Sequence, residues 1–163
     1  MEARRASQPA YPFQLSLRIR HPSIDPALIS RELQIEPEHS FRAGDPRESA
    51  RSGSVVTPVH VDSYWLATLD LSTLLLGTAL APEISAHTHA IVFSALDTTL
   101  TVITGSVLRR HSEFFSRLQS EGGEVRLIVA ISTRKTRGFT FTPQLSKALS
   151  DLRIPVDIEL AHR

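Results

Sequence analysis

Gln14 to Arg20 alternate without a break: Leu15, Leu17 and Ile19 fall on one side, Ser16, Arg18 and Arg20 on the other. A period of two with one apolar side predicts a half-buried strand. His21-Pro22 closes it, and Asp25-Pro26 supplies an N-cap followed by proline at the first helical position. Leu28, Ile29 and Leu33 return at helical spacing, so Pro26 to Leu33 is predicted as a short amphipathic helix that Pro37 prevents from continuing. From Glu38 to Gly53 the composition is that of a loop, with Gly44-Asp45-Pro46 as a turn signal and Arg42, Arg47 and Arg51 strung along it. A second strand region runs from about Val55 to Leu71, interrupted near Pro58 and Asp62, with Trp65, Ala67, Leu69 and Leu71 on one face.

No period dominates Leu74 to Ser94, and residues 72–95 are read as an insertion. Leu100, Ile103, Val107, His111, Phe114, Phe115 and Leu118 then trace a helical stripe that Gly122-Gly123 terminates. Thr98, Thr99, Thr101 and Thr104 are weak helix formers, which lowers the expectation of helix in its first turns. Val125 to Ile131 is nearly continuous apolar sequence, as a strand covered on both sides requires. Thr142-Pro143 repeats the cap-plus-proline start, and Leu145, Ala148, Leu149 and Leu152 form the apolar face of another helix. Ile154, Val156, Ile158 and Leu160 alternate with Pro155, Asp157 and Glu159, and the proline places this last strand at an edge.

The order is strand, helix, strand, long helix, strand, helix, strand. Two helices open alike, at Asp25-Pro26-Ala27-Leu28 and Thr142-Pro143-Gln144-Leu145, and end alike, at Leu33-Gln34-Ile35 and Leu152-Arg153-Ile154. Two strand-helix-strand units sharing one sheet predict an α+β fold: a ferredoxin-like βαβ(α)βαβ two-layer sandwich, with a four-stranded antiparallel sheet and an extra long helix. Its first and third strands lie in the middle, and its first strand lies beside its last. Arg18 and Arg20 then face Asp157 and Glu159, and such cross-strand pairs contribute roughly 0.2–1 kcal/mol each. Residues 1–12 read as a flexible tail ahead of a single domain, 13–163.

Composition narrows the function classes. A chain of 163 residues can bury one sizeable core. A formal net charge of +1 gives no global field for nucleic acid or an anionic membrane. The absence of Cys excludes a disulfide framework, a thiolate metal site and a Cys nucleophile. Met1 to Pro12 carries Arg4 and Arg5 with no apolar run behind them, unlike a secretory signal, and the apolar stretch at Leu71 to Leu80 is too short and too polar to span a bilayer. A cytoplasmic protein is expected. Arg outnumbers Lys sixteen to two, which suits recognition of carboxylates and phosphates, although compositional bias in the genome produces the same ratio.

Several strings together resemble a known family. A strand is followed by D-P-x-L-I-S-x-x-L-x-I-x-P, then F-R-x-G-D-P-R, then Tyr64-Trp65 opening a strand, and the chain closes on F-T-F-T-P-x-L-S-K-A-L-S-D-L-R-I-P-V-D-I-E-L. This is similar to domain-of-unknown-function family 4279 over roughly residues 14–71 and 96–160. The resemblance implies a small bacterial αβ domain and brings no settled activity. For some relatives it implies accessory or immunity-type roles.

The candidate ligand site is the set Arg42, Gly44, Asp45 and Arg47 with Tyr64 and Trp65. Gly44 permits a tight turn, two Arg forks suit a carboxylate or phosphate, and Trp65 offers a flat face. The competing structural reading has Asp45 closing a turn on its own backbone or pairing with Arg47, and Trp65 filling the core. Charges on the polar face of the first strand also argue against an RNA-binding sheet, which would carry aromatics there. His87 and His89 have no third ligand at a recognisable spacing, and His60 with Asp62 lacks a nucleophile elbow. Gly-rich phosphate signatures are missing. The basic run Arg134-Lys135-Thr136-Arg137 reads as solvated, and the helix bearing Arg109, Arg110 and Arg117 beside Phe114 and Phe115 reads as core packing. No catalytic set, metal or cofactor is therefore expected. Two functions remain open: a non-enzymatic module meeting a partner protein, or a second copy of itself, through a sheet edge or the Arg42–Arg47 loop; and a sensing or enzymatic domain for a small anionic ligand. Neither nucleic acid nor membrane is expected as a partner.

Overall fold

The computed structural model describes residues 13–47, 58–74, 91–132 and 141–161. The unbroken alternation becomes a nine-residue strand, β1 (Phe13–His21), with Leu15, Leu17 and Ile19 fully buried. Helix α1 (Pro26–Leu33) starts where the Asp25 carboxylate accepts the Ala27 amide at 3.0 Å, with proline in the first turn as predicted. It stops at Gln34, whose φ of 56° is left-handed, so that the Ile35 amide donates back to the Ser30 carbonyl at 3.3 Å. Strands β2 (His39–Phe41) and β3 (Ser63–Thr68) follow, then a single helical turn, α2 (Leu71–Leu74).

A long helical element comes next. It comprises α3 (Ile91–Val102), a widened π turn at Ile103–Val107, a tightened 3-10 turn at Leu108–His111, and α4 (Ser112–Ser120). The threonines do not prevent its first turns from forming. Thr101 and Thr104 donate their hydroxyls back to the carbonyls of Asp97 and Leu100, at 2.8 and 2.7 Å, and the irregular turns fall just beyond, around Gly105. Strand β4 (Glu124–Ser132), helix α5 (Pro143–Leu152) and strand β5 (Val156–Ala161) complete the chain. The Thr142 hydroxyl accepts the Leu145 amide at 3.2 Å, and α5 ends at the left-handed Arg153 with Ile154 donating to Leu149. The echo between the two helices is thus a shared pair of caps.

The fold is α+β, built on a five-stranded sheet in the order β2-β3-β1-β4-β5. Strands β1, β2 and β3 pair antiparallel, as do β1 and β4, but β4 and β5 run parallel. The expected four-stranded antiparallel, ferredoxin-like sheet is corrected here. That arrangement sets the last strand beside the first, whereas β3 takes the place and β5 joins β4 through the α5 crossover. Alternation fixes which face of a strand is buried and leaves open which neighbour it takes. The fifth strand, β2, lies in the stretch read as loop: with three largely exposed residues it is too short to display a period. The core position of β1 beside β4, and β5 at the edge, agree with the sequence.

The helices share one face of this sheet. Leu15, Leu17, Trp65, Ala67, Leu127 and Val129 enter one core cluster with Ile29, Leu100, Phe115, Leu118 and Leu145 from the helices. The opposite face carries Arg18, Arg20, Tyr64 and Arg126, all half-buried or exposed. Of residues 72–95, read as an insertion, 72–74 belong to α2 and those from Ile91 to the long helical element, while 75–90 lie outside the described residues. Residues 1–12, the pair His87 and His89, Arg51 and the run 134–137 lie outside the described residues.

Candidate functional site on the open face of the sheet

The Arg42–Arg47 segment is held as an extension of the β2–β3 hairpin. Gly44 donates to the His60 carbonyl at 2.8 Å, His60 returns a bond to Asp45 at 2.9 Å, and Arg47 donates to Pro58 at 2.9 Å. Within it the chain bends at Gly44, whose φ of 88° disfavours a side chain. The Asp45 carboxylate accepts the Arg42 amide at 2.8 Å, and the Ser63 hydroxyl accepts the Ala43 amide at 3.0 Å. Asp45 therefore closes a turn on nearby backbone. The Arg42 fork is also committed: Nε and Nη2 meet the two carboxylate oxygens of Asp25, the residue that caps α1.

Trp65 is fully buried on the core face, with its indole N–H donating to the Ser30 hydroxyl at 3.0 Å. Its neighbour Tyr64 alternates to the other face. The six predicted site residues consequently separate. Gly44, Asp45, Arg42 and Trp65 serve the fold, while Arg47 and Tyr64 meet in a concavity of about 310 Å³ on the open face.

Arg18, Arg20, Phe41 and His60 line that concavity with them, together with a single carboxylate, Asp62. The register explains the gathering. Phe41 stands opposite Tyr64 on β3, and Tyr64 stands opposite Arg20 on β1, so the three form a row across the sheet. The Phe41 and Tyr64 rings lie 5.1 Å apart at an interplanar angle of 11°, and the His60 ring lies 3.6 Å from Phe41 at 20°. The first strand carries charges on this face, as read from the sequence, and the aromatics beside them come from β2, β3 and the segment that joins the two.

Charge at the site resolves pair by pair. Arg20 donates to Asp62 at 2.7 Å, and Arg18 donates to Asp157 at 3.1 Å. Strands β1 and β5 are not neighbours, so Arg18 reaches across β4 to make this bond, and Arg20 has turned to the hairpin instead of to Glu159. Arg126 stands directly opposite Arg18, a like-charge pairing that Asp157 offsets by accepting from both. Arg126 also donates to Glu124 at 2.6 Å, and that carboxylate, with Asp157 behind it, holds the guanidinium above its ordinary pKa. Three arginines and one aspartate in the lining leave a formal balance of +2, reduced to +1 once Asp157 is counted with Arg18. The remaining cation is Arg47, which makes no ion pair among the described residues.

A broader concavity of about 850 Å³ lies between α1 and β2. Its charged lining includes Asp25, Arg42 and Asp45, whose polar groups already satisfy one another. His60 is stacked on Phe41, and Asp62 is engaged by Arg20, so the two do not form an orienting pair. His21 is buried and structural. Its Nδ1 accepts the amides of Ser23 and Ile24 at 3.1 and 3.0 Å, which places the proton on Nε2, 3.3 Å from the Glu121 carboxylate. Gly123 makes room for it, since a Cβ there would sit 2.7 Å from the His21 ring. Among the described residues no three His, Cys, Asp or Glu side chains gather as metal ligands, and no helix is long and apolar enough to cross a membrane.

Phe41, His60, Arg18, Arg20 and Asp62 are among the lining residues that sequence reasoning did not assign to a site. Phe41 begins the F-R-x-G-D-P-R string, and its alternation with Arg42 was the available signal; the contribution of β1 depends on the strand order. A family model described as a domain of unknown function, DUF4279, matches residues 11–162. No curated protein and no solved structure matches the chain.

Proposed function

The chain belongs to the DUF4279 family, a domain of unknown function, and from its own residues we propose that it is a bacterial, cytoplasmic, non-enzymatic binding module that holds an anionic group on the open face of its sheet. The observation that carries this reading is Arg47, a guanidinium with no ion pair among the described residues, beside a concavity whose other arginines are anchored by Asp62 and Asp157. Anchored neighbours hold the wall in place, and the free fork supplies two parallel donors to a carboxylate or phosphate. An accessory or immunity-type role follows where that anionic group belongs to a partner protein.

Titration calorimetry with inorganic phosphate and with citrate tests the proposal. Binding weakened at least about tenfold in Arg47→Ala supports it, with a melting temperature within about 1–2 °C of the parent. Equal binding by both proteins removes Arg47 from the site.

A second reading rests on the β5 edge, where Ile158 and Leu160 are 37% and 58% exposed and alternate with Asp157 and Glu159. This pattern suits an added strand from a partner protein. In a homodimer joined antiparallel through β5 and centred on Ile158, Asp157 would oppose Glu159, so a strand with basic residues fits better.

A further inference from the structure

We infer that the ligand of the open-face concavity is a planar unsaturated ring carrying a short oxyanion arm, a phosphate monoester or a carboxylate. The ring extends the stack formed by Tyr64, Phe41 and His60 at its exposed end, and the oxyanion sits on Arg47. This rests on the anion-binding reading above and adds the class of the ligand.

Three observations converge. The first is the stack itself. Three near-parallel rings, at 11° and 20° to Phe41, stand half-buried on a face that no described helix covers. Aromatic faces arranged in this way accept a further ring by offset stacking, and a cation at the rim selects rings that carry negative charge. The second is the division of labour among the arginines. Arg20 spends Nη2 on Asp62 and Arg18 spends Nη2 on Asp157, whereas Arg47 is the lining arginine with no ion pair among the described residues and so the one with its whole fork open to an incoming oxyanion.

The third is size and surrounding charge. A concavity of about 310 Å³ is at the small end of ligand sites, which run from roughly 300 to 1,000 Å³. It suits one ring with its oxyanion. Beyond Arg20 the same face carries Glu124, Asp157 and Glu159, and these carboxylates oppose the backbone of a longer polyanion. A small planar anion is therefore favoured over a nucleic-acid strand.

The test compares phenyl phosphate, cyclohexyl phosphate and inorganic phosphate by calorimetry on the whole chain. Phenyl phosphate is expected to bind at least about tenfold tighter than the other two. That advantage should vanish in Tyr64→Leu while inorganic phosphate binds as before; Arg47→Ala should weaken all three. His60→Leu reads the same stack if Tyr64→Leu does not fold. Adenosine monophosphate and benzoate then separate the sources of the ring: a tighter nucleotide assigns a nucleotide ligand, and a tighter benzoate assigns an aryl acid. If cyclohexyl phosphate matches phenyl phosphate, the ring stack serves only the hairpin and the ligand class falls, although the anion site stands. If no anion binds, both fall.

Discussion

Tyr64 and Trp65 are adjacent in sequence and lie on opposite faces of one sheet. Trp65 enters a core in which the helices seal it from water and Ser30 satisfies its indole N–H. Tyr64 faces outward into a row of rings and arginines that no described helix covers. One residue of offset thus separates a side chain that holds the fold together from one free to meet a ligand, because the strand period is two. The two faces also differ in how they use polar groups. The core face admits few: His21 is tied down by two backbone amides, and Thr104 bonds back to Leu100. On the open face Arg18, Arg20 and Arg126 are engaged by Asp157, Asp62 and Glu124, while Arg47 and, at the far edge, Glu159 make no ion pair among the described residues.

Substitutions that probe this contrast should differ widely in cost. Trp65→Ala is expected to destabilise by about 3–5 kcal/mol, since it removes a fully buried large side chain together with the indole N–H that Ser30 accepts. Chemical denaturation followed by circular dichroism measures this. A loss below about 1 kcal/mol would contradict the placement of Trp65 in the core. At the boundary between the faces, Asp25→Ala removes the cap of α1 and the partner of Arg42 together, at a cost of about 1–2 kcal/mol. Restoring only the cap with Asp25→Ser should recover most of that, because exposed ion pairs contribute little.

On the open face, Arg18→Ala should cost well under about 1 kcal/mol, since Arg126 retains Asp157. The same denaturation measurement checks it, and a loss comparable to that of Trp65→Ala would mean that this face is as structural as the other. Arg47→Ala should leave stability within about 0.5 kcal/mol of the parent, the smallest effect of the series, while binding is lost.

The sequence reading was most successful where a local pattern determines the outcome. Asp25-Pro26 and Thr142-Pro143 start helices as predicted, and Gln34 and Arg153 are the left-handed residues that end them. Trp65 and Tyr64 fall on the faces that alternation requires. Strand order was not legible, because it depends on where β2 and the α5 crossover deliver the chain. That same order assembles the candidate site: Phe41 meets Tyr64 only once β2 pairs with β3, and Arg20 joins them only once β3 pairs with β1. The two arginines of the loop motif were indistinguishable in sequence, and the proximity of Asp25 separates the committed Arg42 from Arg47, which makes no ion pair among the described residues.

The most direct test of the account is a phosphate titration observed at the arginine Nε–H groups by nuclear magnetic resonance. The account predicts a saturable shift for Arg47, with the Arg42 signal unmoved because Asp25 already occupies its fork. Movement of Arg42 alone, or of neither signal up to saturating phosphate, would contradict it.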